Sequence, residues 1–488
     1  MDTKAYNEDH LIIFLFIIFF FTKIAVFSHL PLINDEAYTL TISKYFSLSY
    51  FDHPPLMMWV SYFLHYLEIN SLYLFRIPFL LFGIFTSFFI YKIAAIIYSK
   101  ETGTIAAFLY FISPFFFFSG GLFIVPDALL NCSVAGTTYL AIKIIFGNKN
   151  KTYLWLLLGV LLSIAFLSKY QSYLYGLSLF AAFIVWKRDA FFNYSFYMAL
   201  FISICGLLPV ILWNIENGFA SFHFHQNRGS FNFNFFHIIN SLLAQSLFIL
   251  PTTVILIVLG VANFIKNPSR RESFLAVLAL PTILIFNVII MGSENSFAHW
   301  SMMGWMLLIP IASKGFILLK SNKTSFLALK TVNILLVYGV ILVILIHSKT
   351  GILTKTYGQN IPYWDNTREL LDWGEISDLL EENLKENELK SLSTLDWYDS
   401  GQLASAFNYE YSVGVIGSNS HHFKFIDKKG KKTATLINVR LLNSNTEINL
   451  ADQMATYGFK INKRVDLPYF RGNQKYGSII ILYIEKVQ

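Results

Sequence analysis

Apolar runs of about twenty residues recur through the first 350 positions of the chain, separated by short polar breaks. A helix needs roughly 20 apolar residues to cross a hydrocarbon core of about 30 Å, so each run is a candidate span. They predict helices over 10–28, 72–97, 103–119, 126–146, 152–168, 171–186, 194–213, 237–265, 272–291, 300–318 and 327–347, about eleven in all. The first run, Leu11 to Phe27, is longer than a signal-peptide core and lacks a small-x-small cleavage site, so it reads as a retained helix. Beyond residue 348 charged residues become frequent, and Pro362 and Gly374 punctuate the chain. The pattern there predicts helices over 367–387, 399–408 and 449–458 and strands over 393–395, 413–416, 435–439 and 478–484. The expected fold is therefore mainly α: a polytopic membrane domain over 1–348, then a small soluble α/β domain over 349–488.

Composition supports the bilayer and charge orients the chain in it. Hydrophobic residues make up 55% of the sequence and charged ones only 14%, which excludes an ordinary soluble domain. The net charge of +7 does not indicate nucleic acid, because the basic residues are scattered through short loops and line no single face. With the N-terminus inside, the cytoplasmic connections hold Lys4, Lys100, Lys149, Lys151, Lys187, Arg188, Lys266, Arg270, Arg271, Lys314, Lys320, Lys323 and Lys330. The opposite loops hold only Lys44, Lys169 and Arg228, the asymmetry expected when Lys and Arg stay inside. An odd number of spans then puts the C-terminal domain outside, together with two long loops, 29–71 and 214–236. Two stretches of the first loop, Glu36 to Leu48 and Leu56 to Leu67, are amphipathic and suit helices lying in the interface plane. Cys132 and Cys205 both fall in apolar runs and offer neither a disulfide framework nor a CxxC metal site.

The polar residues that suggest chemistry collect at the outer ends of the predicted helices. Asn34-Asp35-Glu36-Ala37-Tyr38 puts two adjacent carboxylates after the first span, and Tyr50-Phe51-Asp52-His53-Pro54-Pro55-Leu56 follows in the same loop. Asp35 and Glu36 suit the start of a helix, where carboxylates favour the positive dipole end; a carboxylate at a membrane surface also suits a general base. The Pro pair fixes the backbone beside Asp52 and His53. In the second loop, His225 and Arg228 of Phe222-His223-Phe224-His225-Gln226-Asn227-Arg228 add imidazole and guanidinium, a mixture fit for a phosphate or a divalent metal. Lys169 and Arg76 sit at helix ends, where a cation either snorkels to the interface or meets a phosphate arriving from the lipid. Asp127, after Pro126, fits an N-terminal cap. A transporter would place its charges near the midplane, so the outward clustering favours an enzyme acting on a lipid headgroup, with a lipid or glycan transporter as the alternative.

In order, these motifs resemble the bacterial GT-C glycosyltransferases of the family 39, protein-mannosyltransferase-like group, which includes the lipid A aminoarabinose transferases. Arg76-Ile77-Pro78, Pro126-Asp127, Leu167-Ser168-Lys169-Tyr170, Trp213-Asn214 and the His225-x-x-Arg228 spacing extend the resemblance over most of residues 30–310. The C-terminal Asp396-Trp397-Tyr398-Asp399-Ser400-Gly401-Gln402 and His421-His422-Phe423 also resemble that group's shorter members.

The resemblance implies an inverting enzyme of the bacterial inner membrane. It would move a sugar from a polyprenyl-phosphate carrier such as undecaprenyl phosphate to lipid A, lipopolysaccharide or another envelope acceptor on the periplasmic face. No nucleotide cofactor is expected, in keeping with the lack of a Gly-rich phosphate loop. Asp35 would be the catalytic base, with Glu36 orienting it. Tyr38, His53, Arg76, Lys169, Tyr170 and Arg228 would bind the donor phosphate or substrate, and Asp52 with His225 would hold a zinc, magnesium or manganese ion. One departure is plain: the aminoarabinose transferases carry Glu-Lys before the Pro pair, where this chain has Asp52-His53.

Overall fold

The structure, a computed structural model, describes residues 14–487 apart from 15–16, 19, 70, 148–150, 228–233, 293–295, 320–322, 353–368, 385–390, 427–432 and 442–449. The chain divides into two compact units. One comprises Met1–Ser28, Ser47–Val60 and Ile69–Val337; the other comprises His29–Phe46, Ser61–Glu68 and Tyr338–Gln488. The first long loop is thus divided, with Asp35 in the second unit and Asp52 in the first.

The first unit is helical. Among the described residues, Leu72–Ile97, Pro126–Phe146, Tyr194–Glu216, Arg270–Gly292 and Ala298–Leu319 are long and apolar enough to cross a membrane. Their outward residues are apolar too: Leu284 is exposed while its neighbour Ile283 is buried, as expected for helices solvated by lipid. Thr152–Ser168 and Ser172–Trp186 match their predicted runs but have only 17 and 15 residues.

Two predicted helices are broken at proline. The run 103–119 is Lys100–Ile112 followed by Pro114–Phe118, with Ser113 extended between them (ψ 122°), as the residue before a proline prefers. The run 237–265 is not one helix but two, Phe235–Ile249 and Pro251–Lys266, bent by 95° at Leu250, whose φ is +73°. Hydropathy reads through such a bend because Pro251 changes the backbone without interrupting the apolar composition. The axes elsewhere approach closely at small residues. A Cβ on Gly260 would lie 2.2 Å from the Ile311 carbonyl oxygen, and one on Gly315 would lie 2.1 Å from that of Leu256. Pro251–Lys266 and Met302–Leu319 therefore pack backbone to backbone, the usual device where lipid gives apolar side chains no reason to prefer protein.

The second unit holds a five-stranded mixed sheet in the order β2-β1-β3-β5-β4: β1 Ser391–Asp396, β2 Ser412–Asn419, β3 Thr433–Leu441, β4 Phe459–Arg471 and β5 Gln474–Lys486. β1 runs parallel to β2 and β3, and β5 runs antiparallel to β3 and β4. In β5, Ile479 and Ile481 join the core with Trp373, Ile376 and Leu403, while Ile480 and Leu482 join Leu436, Leu450 and Met454 on the other face. Covering on both faces explains why this strand is an unbroken apolar run. β4 was not expected, because Lys460, Lys463, Arg464, Asp466 and Pro468 hide its alternation. It is an edge strand, where charges and proline deter further pairing. The amphipathic stretch at 36–48, expected to lie in the interface plane, instead forms helix Asn34–Ile42. Its residues Glu36 to Ile42 are buried, and it packs against helix Trp397–Ala406.

The glycine contacts carry a testable consequence. Gly315→Ala should destabilise the protein by about 1–3 kcal/mol through overpacking. Gly339→Ala, with nothing within 4 Å of its Cβ, should be neutral or slightly stabilising. Thermal unfolding in detergent compares them, and a Gly315→Ala midpoint equal to the parent's would disprove the close approach.

Candidate functional site

In the first unit, the segment Ser47–Val60 is folded back on itself by Trp59, whose Nε1 donates to the Ser47 carbonyl at 2.8 Å. Tyr50 and Phe51 are buried beneath it. Helix Ala220–Asn227 closes over this turn with three residues spaced i, i+3 and i+4, which share one helical face. Ser221 Oγ donates to the Tyr50 carbonyl at 3.2 Å, the Phe224 ring meets Phe51 at 4.7 Å, and His225 Nε2 reaches the Asp52 carbonyl at 3.2 Å. Asn214 explains the Trp213-Asn214 motif, since its Oδ1 accepts the Ser221 N–H at 3.1 Å and its carbonyl accepts that of Phe219 at 2.7 Å. Left-handed Gly218 and Phe219 turn the chain between them. Asn214 thus sets the helix that carries His225.

Tyr170 lies in the tight connection between Thr152–Ser168 and Ser172–Trp186, and its ring meets that of His225 edge-on at 4.9 Å. The Tyr170 and Ser49 hydroxyls are both buried, and Tyr170 lies within reach of the hydroxyls of Ser221 and Ser49. Burial pushes the Tyr170 phenol up to about 12, and the charge of nearby Asp52 adds to the rise, so Tyr170 keeps its proton at any physiological pH. The neighbourhood of Ser49, Asp52, Tyr170, Ser221 and His225 is therefore rich in hydroxyl donors. Ser49 was not singled out in the sequence, where it has no motif around it. Ser221 directly precedes the second-loop run Phe222 to Arg228.

The other expected site residues are placed as follows. Lys169 is buried and gives its ammonium to both carboxylate oxygens of Asp127, at 2.9 and 2.8 Å. That pairing replaces both the snorkelling of Lys169 and the simple cap expected of Asp127. Arg76 is fully buried and donates through Nη1 to the Phe27 carbonyl at 3.0 Å, closing the C-terminal end of the helix that runs over 20–27. His53 is half-buried beside Pro54. Arg228 lies outside the described residues.

In the second unit, the two adjacent carboxylates part company. Glu36 is buried, and its Oε2 accepts the Ile33 N–H at 3.1 Å, capping its own helix. Asp35 is exposed in the first turn of the same helix. Tyr38 is buried: its hydroxyl accepts the His422 N–H at 3.0 Å, and its ring meets Trp397 at 4.8 Å.

Asp52 and His225 do meet, but through the Asp52 main chain. A carbonyl only accepts, so His225 Nε2 carries a proton there, which leaves the lone pair of the ring on Nδ1. Among the described residues no three His, Cys, Asp or Glu side chains converge as a metal site. No chemistry is routed through an ion.

The buried ion pair predicts a double-mutant result. Removing one partner, by Asp127→Asn or Lys169→Met, should cost about 3–5 kcal/mol, since the other charge stays buried and unpaired. Asp127→Leu with Lys169→Met should recover most of that loss. Thermal unfolding reads the cycle, and additive losses in the double variant would show that the two charges do not depend on each other.

Comparison with known proteins comes from a family model and from solved structures. The model described as dolichyl-phosphate-mannose-protein mannosyltransferase matches residues 52–213, 162 of the 488. A search of curated protein sequences finds no match. The crystal structure of ArnT from Cupriavidus metallidurans in the apo state superposes with a TM-score of 0.59 at 12% identity, covering 98% of each chain. The same protein bound to undecaprenyl phosphate gives 0.59 and 12%, over 99% of this chain and 98% of that one. The chain therefore carries the GT-C fold of ArnT along nearly its whole length, with a protein-mannosyltransferase match over residues 52–213.

Proposed function

We propose that the chain is an inverting glycosyltransferase. It takes a sugar from a polyprenyl-phosphate carrier, undecaprenyl phosphate, and transfers it to lipid A, lipopolysaccharide or another envelope acceptor on the periplasmic face of the bacterial inner membrane. The observation that carries this reading is the near-complete likeness in fold to a protein whose structure holds undecaprenyl phosphate. The donor-rich setting of Tyr170 and Ser49 supports it, because clustered buried hydroxyls suit the anionic oxygens of a phosphate.

In such a transfer the glycosidic C–O bond breaks as the acceptor oxygen attacks from the opposite face, and the phosphate leaves with the bonding electrons. Negative charge grows on the leaving phosphate, and groups already aimed at it lower the barrier. Tyr170 and Ser49 are the hydroxyl donors assigned to that phosphate, with His53 as a further partner and Arg228 as the cation. Lys169 acts indirectly, because the contacts described above occupy its charge. Asp35, exposed where Glu36 is not, takes the proton from an acceptor hydroxyl. An acceptor phosphate would arrive already anionic and need no base.

Purified protein given a labelled polyprenyl-phosphate sugar should transfer the label, and Asp35→Asn should lower the rate at least about tenfold, the smaller end of general-base effects. Unchanged turnover would refute the base assignment. Movement of labelled lipid between leaflets without covalent change would instead identify a transporter.

A further inference from the structure

We infer that the sheet domain positions Asp35, through Gly401 and Gln402 of the helix that follows β1. The inference rests on the reading of Asp35 as the base and gives the C-terminal Asp396-to-Gln402 motif a task. Helix Trp397–Ala406 is first fixed to the sheet: Ser400 Oγ donates to the Gly414 carbonyl of β2 at 2.8 Å and lies 2.8 Å from Thr394 Oγ1 of β1. The next two residues then hold helix Asn34–Ile42 by its backbone. A Cβ on Gly401 would stand 2.6 Å from the Tyr38 nitrogen and 2.7 Å from its Cα, closer than any side chain tolerates, and backbone cannot swing aside. The Gly401 carbonyl accepts from Thr41 Oγ1 at 3.3 Å.

Gln402, itself buried, sends Nε2 to the Leu32 carbonyl at 2.9 Å and to Asn34 Oδ1 at 3.0 Å, gripping the chain on the residue before Asp35. Tyr38 adds a third hold, set against Trp397 and accepting from His422 N–H, where His421 turns through a left-handed φ of +45°. Every one of these contacts is to the main chain or to a residue other than Asp35. They leave the Asp35 carboxylate exposed while fixing the backbone that carries it. Gly401 and Gln402 are thus positioning residues.

The test is a cycle on the full chain in detergent, with labelled polyprenyl-phosphate sugar as donor and amide hydrogen exchange over 30–42 as a second readout. Gly401→Ala and Gln402→Ala should each lower kcat by about 10- to 100-fold, the loss expected from a displacement near 1 Å, while KM for the donor stays within about twofold. In an Asp35→Asn background the same changes should cost almost nothing further. Both should speed exchange over 30–42. Equal losses in the two backgrounds, or unaltered exchange, would overturn the positioning role. Should Asp35→Asn alone keep full turnover, the base reading fails, and the exchange result still decides whether helix Trp397–Ala406 holds helix Asn34–Ile42. Gln402→Ala, which creates no clash, covers the case in which Gly401→Ala does not fold.

Discussion

The Lys169–Asp127 pair is the interaction on which the first unit's polar geometry depends. It joins the start of helix Pro126–Phe146 to the connection before Ser172–Trp186, and Tyr170 is the next residue along. With the ammonium held by both carboxylate oxygens, the peptide carrying Tyr170 has little freedom. The Tyr170 ring in turn packs against His225. An isolated ion at either position would face a desolvation cost of several kcal/mol, so each charge makes the other's burial possible. What such a pair secures is geometry more than net stability.

The same constraint recurs through the apolar body, where each cation is wrapped by atoms that cannot leave. Lys23 donates to the carbonyls of Phe117 and Gly121, at 2.9 and 3.0 Å, and lies over the Phe117 ring. Arg76 serves the Phe27 carbonyl, and Arg271 serves that of Ile96 at 2.7 Å. These partners are main-chain carbonyls at or near helix ends, whose oxygens lack an intrahelical donor. The cations therefore close helices that water would otherwise have to close. Arg76 thereby closes a helix end, and its charge, unopposed by that neutral carbonyl, still suits the lipid phosphate its position suggested.

Whatever depends on local pattern was legible in the sequence. Helices 72–97 and 126–146 fall where hydropathy puts them, and the unbroken apolar run in β5 marks a strand buried on both faces. Two kinds of feature were not. Backbone events inside an apolar run, such as the bend at Leu250, leave composition untouched. Long-range pairings leave no local trace: Lys169 meets Asp127 across 42 positions, and Gln402 meets Leu32 across 370. The motifs nevertheless named several of the participants. Tyr38, Trp397, Gly401 and Gln402 were each singled out, and the structure adds that Trp397 and Gly401 touch Tyr38 while Gln402 holds Leu32 and Asn34. Asp52 and His225 were likewise singled out, and the structure adds the hydrogen bond from His225 to the Asp52 carbonyl.

The adjacent acids Asp35 and Glu36 show how a helix cap and the proposed base can share one motif. Neighbours on a helix point about 100° apart, as follows from 3.6 residues per turn. If one carboxylate turns inward to cap, the other must face away. Glu36 turns inward, fully buried on the Ile33 N–H, and Asp35 is left exposed. The cap fixes the first turn, and the sheet domain's grip on Leu32, Asn34 and Tyr38 fixes the rest. Exchanging the two residue types would shorten the cap and lengthen the exposed acid, moving both carboxylates by roughly a methylene's length. Capping is therefore not a rival to catalysis at this motif: it is what holds the exposed carboxylate in one place.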